Sequence, residues 1–169
     1  VKDINPGPES SFTTYFSQEM AAVNSAIFFS ANDEAHGYEL WRSDGTEAGT
    51  LLVKDINPGV NQSSPHDLIS AYGKLYFTAE TPPFGDEMWQ SDGTETGTLL
   101  VMDICPGWVG SYPGEYTFAG GRLFFSAYDS EDFGIRYRQA GEGPYGRELW
   151  ALGYFTRMPI IIRDFPAGS

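Results

Sequence analysis

Residues 126–147 hold a dense mixture of carboxylates, guanidiniums and phenols. Such a mixture suits recognition of a sugar or of a protein surface. The candidate contact residues are Tyr128, Asp129, Asp132, Arg136, Tyr137, Arg138, Tyr145 and Arg147. Two other interpretations stay open. The stretch is a solvated glycine-rich loop, or Asp129, Glu131 and Asp132 supply a glycosidase pair, which needs two carboxyls about 5–10 Å apart.

Two further places carry candidate contact residues. Trp108 stands where another copy of the same loop has Val60, which predicts an exposed indole. Tyr154, Phe155 and Met158 replace a polar turn by an apolar one. Because exposed apolar patches mark contacts, we expect residues 152–162 to be covered by another chain, a lipid surface or another part of a parent protein. The alternative is a tip that folds back onto its own core.

The Ser-Asp-Gly-Thr segments at 43–46 and 91–94 suggest turn chemistry first and metal binding second. Asp accepts backbone N–H bonds, Gly takes a positive φ, and Thr begins the next strand. Calcium needs about six to eight oxygens, and each segment offers one Asp and a nearby Glu. We expect no cofactor; calcium is the open alternative, with Asp44 and Asp92 as candidate ligands.

Composition excludes several functional classes. Ten basic and 23 acidic residues give a net charge of −13, which repels nucleic acid and anionic membranes. No apolar run approaches the roughly 20 residues of a transmembrane helix. The single cysteine, Cys105, rules out an intrachain disulfide framework. His36 and His66 lie in unlike positions, which argues against a zinc site.

Internal repeats position all these residues. Residues 1–7 return unchanged at 53–59 and, altered, at 101–107, with a remote copy at 163–168. A Glu-apolar-Trp segment recurs at 39–41, 87–89 and 148–150. Its Glu lies 16 positions before the next repeated Asp in every copy (39 to 55, 87 to 103, 148 to 164). We expect Glu39, Glu87 and Glu148 to pair with backbone or with a basic neighbour, and Trp41, Trp89 and Trp150 to pack between repeats.

Each repeat is expected to form four short antiparallel strands and no helix. In the second copy the β-branched and aromatic runs predict strands at 66–72, 74–80, 87–91 and 98–104. Four strands per roughly 50 residues are typical of a propeller blade. The fold class is therefore all-β, one domain over 1–169, with repeats at 1–52, 53–100 and 101–162 and residues 163–169 starting the next.

The repeated ELWxxDGT and VKDINPG elements resemble the ELWxxDGT-repeat family of bacterial proteins. The resemblance covers the chain, apart from residues 151–159, which depart from the pattern. It implies propeller-like architecture and export, hence an extracellular, cell-surface or periplasmic location. It brings no catalytic residues, because the family's biochemical role is poorly defined. Three blades are fewer than the four to eight of a closed propeller, so a longer parent protein or a second copy is expected to complete it.

Three functions follow as hypotheses. The first is a non-catalytic module that binds a protein partner or a glycan through the loops of one face. The second is a structural subunit of a larger surface or membrane-associated assembly. The third is a propeller glycoside hydrolase of the sialidase-like kind.

Overall fold

The repeats fold into antiparallel sheets, as their alternating apolar residues predict. A computed structural model describes residues 2–12, 19–128, 147–155 and 158–163. Twelve strands and no helix occur in these ranges, so the all-β expectation is confirmed there. None of these residues belongs to a helix that could cross a membrane.

The first sheet contains four strands that pair in sequence order. They are β1 (Met20–Val23), β2 (Ala26–Asn32), β3 (Tyr38–Ser43) and β4 (Leu51–Lys54). Asn24 turns the first hairpin at a φ of 54°, a left-handed conformation that Asn tolerates better than most residues.

The second sheet repeats this arrangement. Its strands are β5 (His66–Ala71), β6 (Lys74–Thr81), β7 (Gly85–Ser91) and β8 (Leu99–Met102). The predicted fourth strand at 98–104 is too long, because Thr98 bonds the preceding turn through its side chain and Ile104 donates its N–H to a buried glutamate.

The third sheet has the same strand order. It contains β9 (Gly114–Ala119), β10 (Arg122–Tyr128), β11 (Arg147–Phe155) and β12 (Met158–Arg163). Pro159 pairs with Tyr154 in the edge strand β12. An edge strand tolerates a proline, which cannot donate a ladder hydrogen bond.

The core lies between consecutive sheets. One cluster joins the first and second sheets through Phe28, Leu40, Phe77 and Trp89. Another joins the second and third through residues that include Met88, Phe125 and Trp150. A third cluster covers the remaining face of the first sheet, where Ile4 packs with Phe29 and Trp41. Trp89 and Trp150 pack between repeats, as expected, whereas the buried Trp41 packs against residues of its own repeat, including Ile4.

Candidate functional site

A buried glutamate ties each of the first two sheets to the segment that follows it. The Glu39 carboxylate accepts hydrogen bonds from the backbone N–H groups of Ile56 (3.0 Å) and Asn57 (3.2 Å). It also accepts from the N–H (2.9 Å) and the hydroxyl (2.5 Å) of Ser63. We call this arrangement the glutamate clasp: one carboxylate, two consecutive N–H groups and a serine.

The second glutamate clasp is a close copy of the first. Glu87 accepts from the N–H groups of Ile104 and Cys105, both at 3.2 Å. Ser111 donates its N–H at 2.9 Å and its hydroxyl at 2.6 Å. Glu39 and Glu87 are completely buried. Both glutamates therefore pair with backbone, as expected. Each carboxylate is buried and already accepts four hydrogen bonds, so a substrate cannot reach it.

Burial dominates the electrostatics of the glutamate clasps. Desolvation raises the pKa of Glu39 and of Glu87 from the ordinary 4.5 to about 7, against the opposing effect of their hydrogen bonds. The two carboxyls thus titrate near neutrality, although they lie in a structural position.

The Ser-Asp-Gly-Thr turns are held by hydrogen bonds within the turn, and they are longer than the sequence predicts. Asp44 Oδ1 accepts from the N–H (2.9 Å) and the hydroxyl (2.7 Å) of Thr46, and Gly45 has a φ of 92°. Thr46 does not begin a strand, because the turn continues to Thr50, whose hydroxyl lies 2.7 Å from that of Ser43. Asp92 makes the same bonds in the second copy.

Asp44 and Asp92 are thus occupied by their own turns. Over residues 2–12, 19–128, 147–155 and 158–163, no group of three or more His, Cys, Asp or Glu side chains could hold a metal ion.

Exposed aromatic residues and an arginine gather where the segment after β8 meets the β6–β7 turn. Trp108 is 81% exposed, as the sequence predicts. Ser111 and Tyr112 donate their N–H groups to the Asp86 carbonyl at 2.9 and 3.0 Å. This docking brings the backbones of Gly85 and Gly110 so close that a Cβ on either would overlap the other segment. Two glycines therefore fix the position of the Trp108 loop.

Arg147 extends this surface to β10 and β11. Its Nη2 donates to the Tyr112 carbonyl at 2.9 Å, and its guanidinium lies 5.7 Å from the centre of the Tyr128 ring, a cation–π distance. We call the surface formed by Trp108, Tyr112, Tyr128 and Arg147 the Trp108 face.

A cavity of about 480 Å³ lies among the first strands of the three sheets. We call it the carboxylate cavity. It is lined by Glu19, Met20, Asp67, Leu68, Ile69, Glu115 and Tyr116. It is an open depression rather than an enclosed pocket. Three of the lining residues are acidic, which makes the cavity an acceptor-rich environment.

Arg147 connects the Trp108 face to the carboxylate cavity. A Cβ on Gly114 would lie 3.0 Å from both Arg147 Nη2 and Asp67 Oδ2, so the glycine lets these groups approach. Burial raises the pKa of Asp67; the charges of Glu19 and Glu115 act in the same direction, and those of His66 and Arg147 oppose it. The arginine therefore offsets part of the negative charge of the cavity.

The structure brings together only some of the predicted contact residues. Tyr128 and Arg147 are in contact, and Arg147 also bonds the carbonyl of Tyr112, which lies four residues after Trp108 in the same segment. Tyr154, Phe155 and Met158 are placed by strand pairing, but their side chains lie outside the described part. The remaining predicted contact residues also lie outside it: Asp129, Asp132, Arg136, Tyr137, Arg138 and Tyr145.

Sequence reasoning missed the carboxylates of the cavity. Glu19, Asp67 and Glu115 are spaced by 48 residues each (67 − 19 and 115 − 67). An acidic residue at the same phase of three repeats was the signal that could have found them. No sequence pattern indicates a role for Tyr112, because it acts through its backbone carbonyl, which accepts a hydrogen bond from Arg147.

Comparison with protein-family models, curated proteins and solved structures finds no match to this chain.

Proposed function

We propose that this chain is an extracytoplasmic β-propeller-type module that binds a glycan without catalysis. The supporting observations are the exposed indole of Trp108, the contact of Arg147 with the segment that carries it, and a carboxylate-lined cavity. An exposed indole stacks on the apolar face of a sugar ring. Carboxylates accept hydrogen bonds from hydroxyl groups, and a guanidinium donates to ring and hydroxyl oxygens.

A protein partner with a basic segment is the second candidate. It is favoured by the net charge of −13 and by the three carboxylates in the cavity, because opposite charges steer and orient association. Lysine or arginine side chains would enter the cavity, while Trp108 would pack against an apolar residue of the same segment.

Propeller architecture and export belong to this proposal. Three consecutive four-stranded antiparallel sheets are typical of propeller blades, and the ELWxxDGT resemblance implies export. A binding role agrees with the position of Trp108 and Tyr112 on a connecting segment, where binding residues are concentrated in many folds.

The experiment is a ligand screen monitored by tryptophan fluorescence. Trp41, Trp89 and Trp150 are buried and Trp108 is exposed, so ligand binding at the face changes chiefly the Trp108 emission. We expect soluble glycans from a panel to change it saturably. Because Trp108→Ala lacks this reporter, the variants are compared with the parent chain by calorimetric titration, in which Trp108→Ala or Asp67→Asn should weaken binding at least about tenfold.

The matched control is Val60→Ala. Val60 occupies the position of Trp108 in the preceding repeat and is 78% exposed, so its truncation should leave binding unchanged. Binding of a basic peptide with no glycan response would select the second candidate. If neither class of ligand binds, or if Trp108→Ala binds like the parent chain, the proposal is wrong.

A further inference from the structure

The N-terminal segment carries the donor half of a glutamate clasp. Ile4, Asn5 and Ser11 stand at the positions of Ile56, Asn57 and Ser63. The segment also docks in the same way, because Ser11 accepts from Asn32 N–H at 2.9 Å as Ser63 accepts from Glu80 N–H at 2.8 Å. The donor segment thus docks on β2 by the same backbone contact that docks the segment of Ser63 on β6.

No carboxylate meets these donors within the described part of the chain. The N–H groups of Ile4 and Asn5 and the hydroxyl of Ser11 make no hydrogen bond there. The side-chain Nδ2 of Asn5 is also unpartnered, although Asn5 is only 6% exposed. Buried donors of this kind cost free energy unless an acceptor reaches them, so the segment is built for an acceptor.

Glu148 is the matching acceptor half. It begins the third Glu-apolar-Trp segment, as Glu39 and Glu87 begin the first two. The positions 17 and 18 residues after it hold Phe165 and Pro166. A proline has no N–H to donate. The segment that follows the third sheet therefore cannot form the complete clasp around Glu148.

The residue after Glu148 lies on a face of the third sheet against which no further sheet packs within residues 2–12, 19–128, 147–155 and 158–163. Leu40 and Met88 follow the first two glutamates and are 0% and 1% exposed, because the next sheet covers them. Leu149 is 52% exposed. A further sheet with a donor segment would bury it, and the first sheet with residues 2–12 is such a unit.

We propose that residues 2–12 bind Glu148 of a second copy of this chain. The carboxylate of one copy accepts hydrogen bonds from the Ile4 and Asn5 N–H groups and from Ser11 of the other. Leu149 is then covered by the first sheet of that copy. This interface continues the packing that already joins the first sheet to the second and the second to the third.

Reciprocal exchange gives a closed dimer. Each copy offers one donor segment and one glutamate, so two contacts related by a two-fold axis satisfy both. The assembly contains six sheets, within the four to eight of closed propellers. It does not depend on ligand binding at the Trp108 face.

The test is sedimentation of the 169-residue chain over a range of concentrations. We expect a dimer whose dissociation constant rises roughly ten- to a hundredfold in Glu148→Gln and in Ser11→Ala, because each change removes hydrogen bonds to a charged acceptor. Glu47→Gln, a change at an exposed glutamate, is the control and should leave the constant unaltered.

A mixing experiment separates a lost contact from a lost fold. Ser11→Asp repels the incoming carboxylate but keeps Glu148, whereas Glu148→Ala keeps the donor segment. Neither variant alone should form the dimer, and their equimolar mixture should form a heterodimer, since one intact contact remains. The proposal is overturned if the parent chain is monomeric at every concentration, if Glu148→Ala dimerises like the parent, or if the mixture fails to associate.

Discussion

The Glu39 carboxylate accepts both the N–H and the hydroxyl of Ser63, at 2.9 and 2.5 Å. These residues are 24 positions apart and belong to consecutive repeats. Because Glu87 and Ser111 keep the same relation, the contact is a feature of the repeat rather than of one site. It fixes the segment that carries Val60 in one repeat and Trp108 in the next.

Truncation of a clasp glutamate should destabilise the fold strongly. Glu87→Ala leaves the N–H groups of Ile104 and Cys105 and both donors of Ser111 buried without an acceptor. We expect a loss of about 3–5 kcal/mol in the free energy of unfolding, measured by urea denaturation. Glu95→Ala, at an exposed position in the same repeat, should change it by less than about 0.5 kcal/mol. Equal losses of stability in Glu87→Ala and Glu95→Ala would contradict a structural role for Glu87.

Stability should fall as the pH rises towards neutrality. The folded-state pKa of Glu39 and Glu87 is about 7, above the ordinary 4.5, so between these values the folded state holds protons that the unfolded state has released. The contribution is fully present below about pH 4.5, is lost as the pH passes through 7, and amounts to a few kcal/mol.

Urea denaturation between about pH 5 and pH 8 measures this slope. Asp44 and Asp92 do not interfere, because their pKa values are lowered and they titrate below this window. His36 and Asp67, whose pKa values are raised, contribute with the same sign. The difference in this slope between the parent chain and the variants Glu39→Gln and Glu87→Gln isolates the contribution of the glutamate clasps. A slope that is the same in the parent chain and in these variants would show that the four donors keep the carboxylates ionised over this pH range.

Asp44 and Gly49 should be energetically coupled. A Cβ at residue 49 would overlap the Asp44 carboxyl group, so Gly49→Ala should cost about 1–3 kcal/mol of stability. In an Asp44→Ala background the added methyl has room, and the cost should nearly vanish, which a double-mutant cycle measures. Gly59→Ala, where nothing lies within 4 Å of the added Cβ, should be additive with Asp44→Ala. If the stability losses of Asp44→Ala and Gly49→Ala were also additive, the two residues would not overlap as described.

The tryptophans should differ sharply in solvent access. Trp108 is 81% exposed, whereas Trp41, Trp89 and Trp150 are exposed by 3, 7 and 8%. Acrylamide should therefore quench one emission component readily, and Trp108→Phe should remove that component without changing thermal stability. Quenching that persists undiminished in Trp108→Phe would place an exposed indole elsewhere.

Repeat spacing was sufficient to predict four strands per repeat, though not the ends of each strand, because each repeat carries its own alternating apolar residues and turn residues. It also predicted the burial of Trp41 and the exposure of Trp108, since one recurs in every copy and the other does not. The spacing did not reveal the donors of the glutamate clasp. Ser63 and Ser111 recur 24 positions after Glu39 and Glu87, but a recurrent serine in a loop has no distinctive pattern until the fold places it beside a buried carboxylate.

The carboxylate cavity was still harder to predict. Its acidic residues come from three repeats and meet only because the first strands of the three sheets lie together. Arg147 reaches the same region from the end of the insertion, and Gly114 leaves room for both its guanidinium and the Asp67 carboxylate. Such convergence depends on tertiary packing, which periodicity within one repeat does not describe.

The indole N–H signals of a ¹⁵N-labelled chain test the binding account most directly. During titration with the glycan panel and with a basic peptide, the account predicts that the Trp108 signal moves saturably for one class of ligand while the signals of buried Trp41 and Trp89 stay in place. If Trp108 stays in place for every ligand, or if Trp41 and Trp89 move while Trp108 does not, the Trp108 face is not the binding site.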